Sequence, residues 1–257
     1  MSLLNALHPS HPVLGPALYA FAVYGLRYGV MATLAFCLAR PTARGGWGRP
    51  HARAPQQMAL GRHVRRELGC SLLSLLVFGA VNGVLFGWGL LRHSQVYLRL
   101  DAWPLWWLPV SVLLALLVHD TLFYWLHRAM HSRALFSLMH QVHHRSVHPT
   151  AFAAYSFHPT EALAEALIVT ALLFIVPIHP LALLVFQTLS IAYNVYGHCG
   201  REFYPEGTGT HALGRWLNTS TLHAEHHRSG RGNYGLYFSL WDRWMGTGKA
   251  PPAHTAS

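Results

Sequence analysis

Apolar residues in this chain fall into long runs, broken by short stretches rich in arginine or histidine. Residues 17–38 (ALYAFAVYGLRYGVMATLAFCL) are apolar except for Arg27, and about twenty such residues span a bilayer core as a helix. Arg27 is expected to face a bundle interior or a lipid phosphate. Similar runs cover residues 68–91 and 105–126. A last apolar region, 162–195, is interrupted by PIHP at 177–180. Its halves are short for single spans, so the pattern predicts a helical hairpin, either two tight spans or a pair dipping partway. The expected fold is an all-α integral membrane helical bundle of about four or five apolar passes.

Charge orients the bundle. Residues 40–66 are polar, rich in Pro and Gly, and carry seven arginines, which predicts a basic cytoplasmic loop. The N-terminus is then outside, the third run ends in the cytoplasm, and the hairpin returns the chain to the same side. The first sixteen residues hold no charged side chain, unlike a secretory signal with its basic n-region. Over the whole chain 52% of residues are hydrophobic, 11% are charged, and the net charge is +10. The charged share is well under the roughly 25% of soluble domains. The arginines sit beside apolar runs and no groove-reading or stacking motif accompanies them, so a membrane surface is expected and nucleic acid is not. Cys37, Cys70 and Cys199 are too widely spaced for a metal knuckle or a disulfide framework. They read as small apolar residues.

Two stretches carry the chemistry. Residues 119–158 contain eight histidines, and TLHAEHHRSG at 221–230 repeats the HxxHH pattern of HQVHH. On a helix, positions i, i+3 and i+4 share a face, so His140/His143/His144 and His223/His226/His227 each aim three imidazoles one way. His127 and His131 form an i, i+4 pair. A structural zinc site closes with four ligands; eight imidazoles suit two metal ions held close together. Imidazole alone does not name the metal. HAEHH is not HExxH, so the metalloprotease arrangement is missing. A cap continuous with membrane helices is where a lipid would enter, and oxidising an unactivated C–H bond requires a redox metal rather than zinc.

The segments HDTLFYWLHRAMH, HQVHHRS, HPTAFAAYSFHPTE, NVYGHCGREFYP, TLHAEHH and NYGLYFSLWDRWMGT, in this order, resemble the fatty acid hydroxylase/sterol desaturase superfamily. The AF…FHP segment and the NYG-YF-LWDR tail look most like its sterol C5-desaturase and C4-methyl oxidase branches. The resemblance covers about residues 118–248. It implies a catalytic region at 105–248, after membrane helices and a basic loop at 1–104 and before a tail at 249–257. It also implies two iron ions on His127, His131, His140, His143, His144, His223, His226 and His227, with His198 of GHCG as a ninth ligand and His158 of FHPTE as a further candidate. The reaction implied is O2-dependent hydroxylation or desaturation of a sterol-like or fatty-acyl lipid. Electrons come from a separate electron-transfer protein, since the fused haem signature of some relatives does not occur in this sequence.

Other readings attach to single residues. His8, His11, His51, His63, His93, His179, His211 and His254 read as ordinary core or surface histidines. His119 either binds metal or, with Asp120, orients a ligand imidazole; His148 either binds metal or is a loop or substrate-lining residue. Glu161 is expected either to accept from a ligand imidazole or to sit at a helix N-terminus, where the dipole favours it. Trp103, Trp106 and Trp107 suggest an interfacial belt. Tyr234, Tyr237, Phe238, Trp241 and Trp244 pack the cap, and Asp242–Arg243 reads as an ion pair. Two rival functions are a zinc-dependent membrane hydrolase with Glu225 as base, and a non-enzymatic metal-binding or transport protein, which would carry its ligands near the bilayer midplane.

Overall fold

The computed structural model describes residues 12–39, 48–50 and 57–249; much of the basic 40–66 stretch, and His8, His11, His51 and His254, lie outside them. Among the described residues, three helices are long and apolar enough to cross a membrane. They are α1 (Leu14–Ala39), α2 (Gln57–Gly87) and α3 (Trp107–Met130). At 24 to 31 residues they are ~36 to ~46 Å long, enough for the hydrocarbon core and part of the headgroup layer. Leu18, Leu26 and Leu34 on α1, Leu72 and Leu76 on α2, and Leu113 and Leu117 on α3 are exposed, a face that lipid covers.

α1 and α2 approach closely because α2 carries glycine every fourth position on the facing side. A Cβ on Gly79 would lie 2.8 Å from the Ala17 carbonyl, and one on Gly83 would lie 2.5 Å from that of Val13. Small residues at this spacing let membrane helices pack backbone to backbone. Arg27 turns inward, donating to Gln187 Oε1 at 3.0 Å and lying over the Tyr24 ring.

The HxxHH segment after α3 begins with one wide helical turn, Phe136–His140, and continues as the single-turn α4 (Gln141–His144). The predicted hairpin is α5 (Pro159–Ile175) and α6 (Pro180–His198), broken where PIHP was expected to turn. Both helices begin the same way. A histidine, His158 or His179, accepts a backbone N–H two residues on, and proline follows at the first helical position, where its missing donor costs nothing. Leu163 and Leu167 on α5, and Leu184 and Leu189 on α6, are exposed. The core has one apolar cluster where Tyr28 and Phe78 meet the turn at 151–155, and another joining α3, α5 and α6 around Ala115, Leu172 and Phe186.

Beyond α6 a two-residue strand, β2 (Arg201–Glu202), pairs antiparallel with β1 (Arg49–Pro50). α7 (Ser220–Ser229) is capped by Thr219, which accepts from Leu222 N, and closes at Gly230 with φ 64°, the left-handed residue that favours glycine. A short last helix, α8, covers Leu240–Trp244.

Candidate dimetal centre

The histidine segments converge at one end of the bundle. α3 brings His127 and, as its cap, His131; the turn and α4 bring His140, His143 and His144; α6 ends at His198; α7 brings His223, His226 and His227. Their ring nitrogens form two groups. One is His127, His131, His140, His144 and His226, and the other is His143, His198, His223 and His227; within each group the candidate ligand atoms lie within 4.8 Å of one another. The HxxHH motifs divide between the groups, His140 and His144 joining one and His143 the other.

The tautomers follow from what holds each ring. A carbonyl only accepts, so an Nδ1 facing one must carry the proton. His127 Nδ1 donates to Tyr234 O at 2.8 Å, His226 Nδ1 to Gly232 O at 2.7 Å, His198 Nδ1 to Asn194 O at 2.7 Å and His143 Nδ1 to Ser156 O at 3.4 Å. His131 is held by the Gly230 carbonyl and His144 by that of His227. His140 Nδ1 meets Glu161 Oε1 at 2.6 Å. For these seven rings the Nε2 lone pair faces inward, and the Nε2 atoms of the first group are close: His127–His140 3.0 Å, His131–His226 3.1 Å and His144–His226 3.0 Å. In the second, His198 lies 3.2 Å from His143, 3.0 Å from His223 and 3.2 Å from His227.

This donor set fits metal. Bonds of about 2.0–2.1 Å to a shared ion put neighbouring nitrogens about 2.9–3.4 Å apart. Unprotonated nitrogens at such separations repel, and a cation between them removes the repulsion. Burial, with neighbouring imidazoles adding, keeps the rings neutral as ligands must be. The His131 pKa is pushed down to about 4 and that of His144 to about 3, and those of His140, His143, His226 and His227 lie well below the usual value.

The acceptors that orient the rings are mostly backbone, and one loop supplies three of them. Residues 230–234 hold His131, His226 and His127 through the carbonyls of Gly230, Gly232 and Tyr234. The loop is itself fixed from the tail. Asp242 accepts from Tyr234 N at 2.9 Å, Gly235 N at 2.8 Å and Thr247 Oγ1 at 2.7 Å. Asn233, left-handed at φ 54°, pairs with Lys249 and with Leu222 O. The expected Asp242–Arg243 ion pair is not what forms: Asp242 is buried on these donors, while Arg243 donates to Arg215 O and Ser239 Oγ. Asp120 anchors the same tail to α3, its Oδ1 accepting the N–H groups of Leu236, Tyr237 and Phe238.

Of the other sequence candidates, His158 lies outside both groups, its Nδ1 capping α5 through Thr160. His119 also lies outside them, with Nδ1 3.1 Å from the Tyr237 hydroxyl. His148 offers its carbonyl to His63 Nε2 at 3.1 Å. Glu161 meets both expectations at once, in the first turn of α5 and against His140; its Oε2 is buried without a partner. Glu67 had given no signal in the sequence. Fully buried on α2, it accepts from Thr150 Oγ1 at 2.5 Å and pairs with His63 at 2.9 Å, tying down the segment after HQVHH. A cavity of about 10 Å³, room for about one water molecule, touches both groups and is walled by Phe123, Phe157, Leu236, Asn194, Glu161 and Glu165.

The profile of the fatty acid hydroxylase family matches residues 112–247, more than half of the 257-residue chain. The chain belongs to that family. Curated relatives include human lathosterol oxidase, 31% identical over 203 residues covering 78% of this chain and 66% of the relative. Mouse lathosterol oxidase is 32% identical over the same shares. A Delta(7)-sterol 5(6)-desaturase of Gibberella zeae is 27% identical over 77% of this chain and 61% of its own length. The chain thus spans just under two thirds of the length of these relatives. No solved structure matches it. The three apolar spans and this kinship make it an integral membrane protein.

Proposed function

We propose that this chain is a di-iron, O2-dependent membrane oxidoreductase that hydroxylates or desaturates a C–H site of a sterol-like or fatty-acyl lipid. The observation that carries the reading is the convergence of nine Nε2 atoms in two adjoining groups beside one small cavity, in a chain whose curated relatives include sterol oxidases and desaturases. Iron bound there would supply the redox and oxygen chemistry that zinc lacks. Hydroxylation converts R–H, O2, two electrons and two protons into R–OH and water; desaturation consumes the same reactants, removes two hydrogens and yields two waters. The electrons come from a separate electron-transfer protein.

The chain's own residues bind, orient and exclude. His127, His131, His140, His144 and His226 would hold one ion, and His143, His198, His223 and His227 the other. Carbonyls and Glu161 fix the ring orientations, which sets ligand basicity as well as geometry. Phe123, Phe157 and Leu236 keep bulk water from the space between metals and substrate. With room for about one water, that space must open for a lipid to enter. The catalytic region is residues 105–248, and its histidine end faces the cytoplasm, because Arg62, Arg65 and Arg66 start α2 on the side where Arg128 ends α3 and Arg133 and Arg145 follow it. Against a hydrolase, both oxygens of Glu225 are taken by Arg228, at 2.7 and 2.8 Å. Against a transporter, the histidines gather at the helix ends rather than mid-span.

The test is turnover. Iron-loaded protein in detergent, supplied with lipid extract, O2 and a reducing system, should give products with one added oxygen or two fewer hydrogens. Turnover of ester or amide lipids without O2 or reductant would instead establish the hydrolase.

A further inference from the structure

The exposed charge of this molecule is almost wholly cationic, and it gathers where the imidazole cluster comes nearest the surface. Of the nine acidic residues, Glu67, Asp120, Glu161, Glu202, Glu225 and Asp242 are buried and Glu165 lines the inner cavity. The remaining two, Asp101 and Glu206, are each paired with an arginine, Arg99 and Arg49. Asp101 lies before the first turn of α3, and His131 caps the other end of that 24-residue helix, about 36 Å away by helix rise.

His131 is only partly buried, whereas most of the other eight imidazoles are fully enclosed. Exposed arginines flank it. Arg128 lies one turn earlier on α3, Arg133 two residues later, Arg145 directly after His144, and Arg231 directly after the Gly230 whose carbonyl holds the His131 ring. Arg128 is committed to the Tyr124 hydroxyl and the Trp125 ring. Arg133, Arg145 and Arg231 are exposed, and none of them forms an ion pair with an acidic residue among the described residues.

We propose that this arginine-rimmed edge at His131 is where a small acidic one-electron carrier protein docks, His131 being the entry ligand for the electrons. The inference rests on the redox reading of the site given above. Electron tunnelling falls steeply with distance, so the least enclosed ligand is where a carrier approaches most closely. Redox encounters are small and short-lived, and complementary charge raises their association rate more than their affinity. A rim of unpaired arginines with no exposed acid among them supplies such steering.

The test compares two reductants on the iron-loaded protein in nanodiscs of zwitterionic lipid. One is a plant-type ferredoxin, an acidic one-electron carrier; the other is photoreduced deazaflavin, small and without strong charge. In the triple variant Arg133→Glu, Arg145→Glu, Arg231→Glu, the second-order rate with ferredoxin should fall roughly 10-fold or more at low salt, and its salt dependence should flatten. Reduction by deazaflavin and iron content should stay as in the parent protein. An unchanged ferredoxin rate overturns the proposal. A loss seen only in nanodiscs with anionic lipid also overturns it, and assigns the arginines to headgroups. If the parent protein is reduced by neither reagent, the redox reading itself fails and the docking surface falls with it.

Discussion

Asp242 is a test of how the tail holds the metal ligands. It is 2% exposed and accepts from Tyr234 N, Gly235 N and Thr247 Oγ1 at 2.9, 2.8 and 2.7 Å. Hydrogen bonds to a charged acceptor contribute about 1.5–3 kcal/mol each, and buried donors left alone cost about 1–3. With three donors released and some water admitted, Asp242→Ala should destabilise the fold by about 3–5 kcal/mol. Asp242→Asn keeps one accepting oxygen and should cost about 1–2 kcal/mol. The change reaches the metals because Tyr234 O orients His127, and the same loop carries the acceptors for His131 and His226. Loss of such outer partners typically lowers metal affinity about 10–100-fold. The five-imidazole group should therefore weaken while the four-imidazole group, oriented by Asn194 and Ser156, keeps its ion. Thermal unfolding in detergent and a chelator-competition titration read the two effects. An Asp242→Ala protein that unfolds with its parent and binds both ions equally tightly would refute the reasoning.

Three further outcomes follow from the same geometry. Glu161→Gln keeps an oxygen facing His140 Nδ1 but replaces the carboxyl group that orients the ring, so metal affinity of the five-imidazole group should drop about 10-fold or more; competition titration with normal binding at both sites would contradict this. Gly83→Leu places side-chain atoms where the Val13 carbonyl already lies 2.5 Å from a bare Cβ. It should lower thermal stability by about 1–3 kcal/mol with metal stoichiometry intact, and an unchanged melting curve would count against the close α1–α2 contact. Finally, an unfolded imidazole takes up its proton near 6.5, whereas burial holds His131 down to about 4 and His144 to about 3. In that window the unfolded chain binds more protons, so the metal-free protein should lose stability as pH falls from 6.5 toward 4 and vary little above it. Stability that rose on acidification, measured by thermal melts across this range, would exclude neutral rings in the folded state.

The apolar runs and histidine spacing carried much of this architecture in advance, for identifiable reasons. Membrane spans and i, i+3, i+4 faces are periodic signals, so α1, α2, α3 and the PIHP break could be placed without coordinates. Of the ten histidines named from the sequence as metal candidates, nine lie in the two groups and His158 does not. Which belong to which group could not be read, because His143 leaves its neighbours His140 and His144 through local helix geometry. His158 illustrates a motif with two uses: HP starts α5 as it starts α6 at His179, and capping accounts for both. What the sequence hid was chiefly backbone. The carbonyls of Gly230, Gly232 and Tyr234 have no side-chain signature, and Asp242 and Asp120 act on N–H groups that any residue supplies. Glu67 was invisible because Thr150 meets it only when α2 packs against the loop after HQVHH, and its i, i+4 pair with His63 is one that any exposed helix could carry.

The most direct test of the account is iron content with Mössbauer spectroscopy on the protein purified in detergent and reconstituted with iron. The account predicts about two irons per chain in two distinguishable environments, a five-imidazole and a four-imidazole one. His226→Ala should lose the first signal preferentially and His143→Ala the second. Iron that binds at unchanged stoichiometry in both variants, or that fails to bind the parent protein at all, would contradict the dimetal centre.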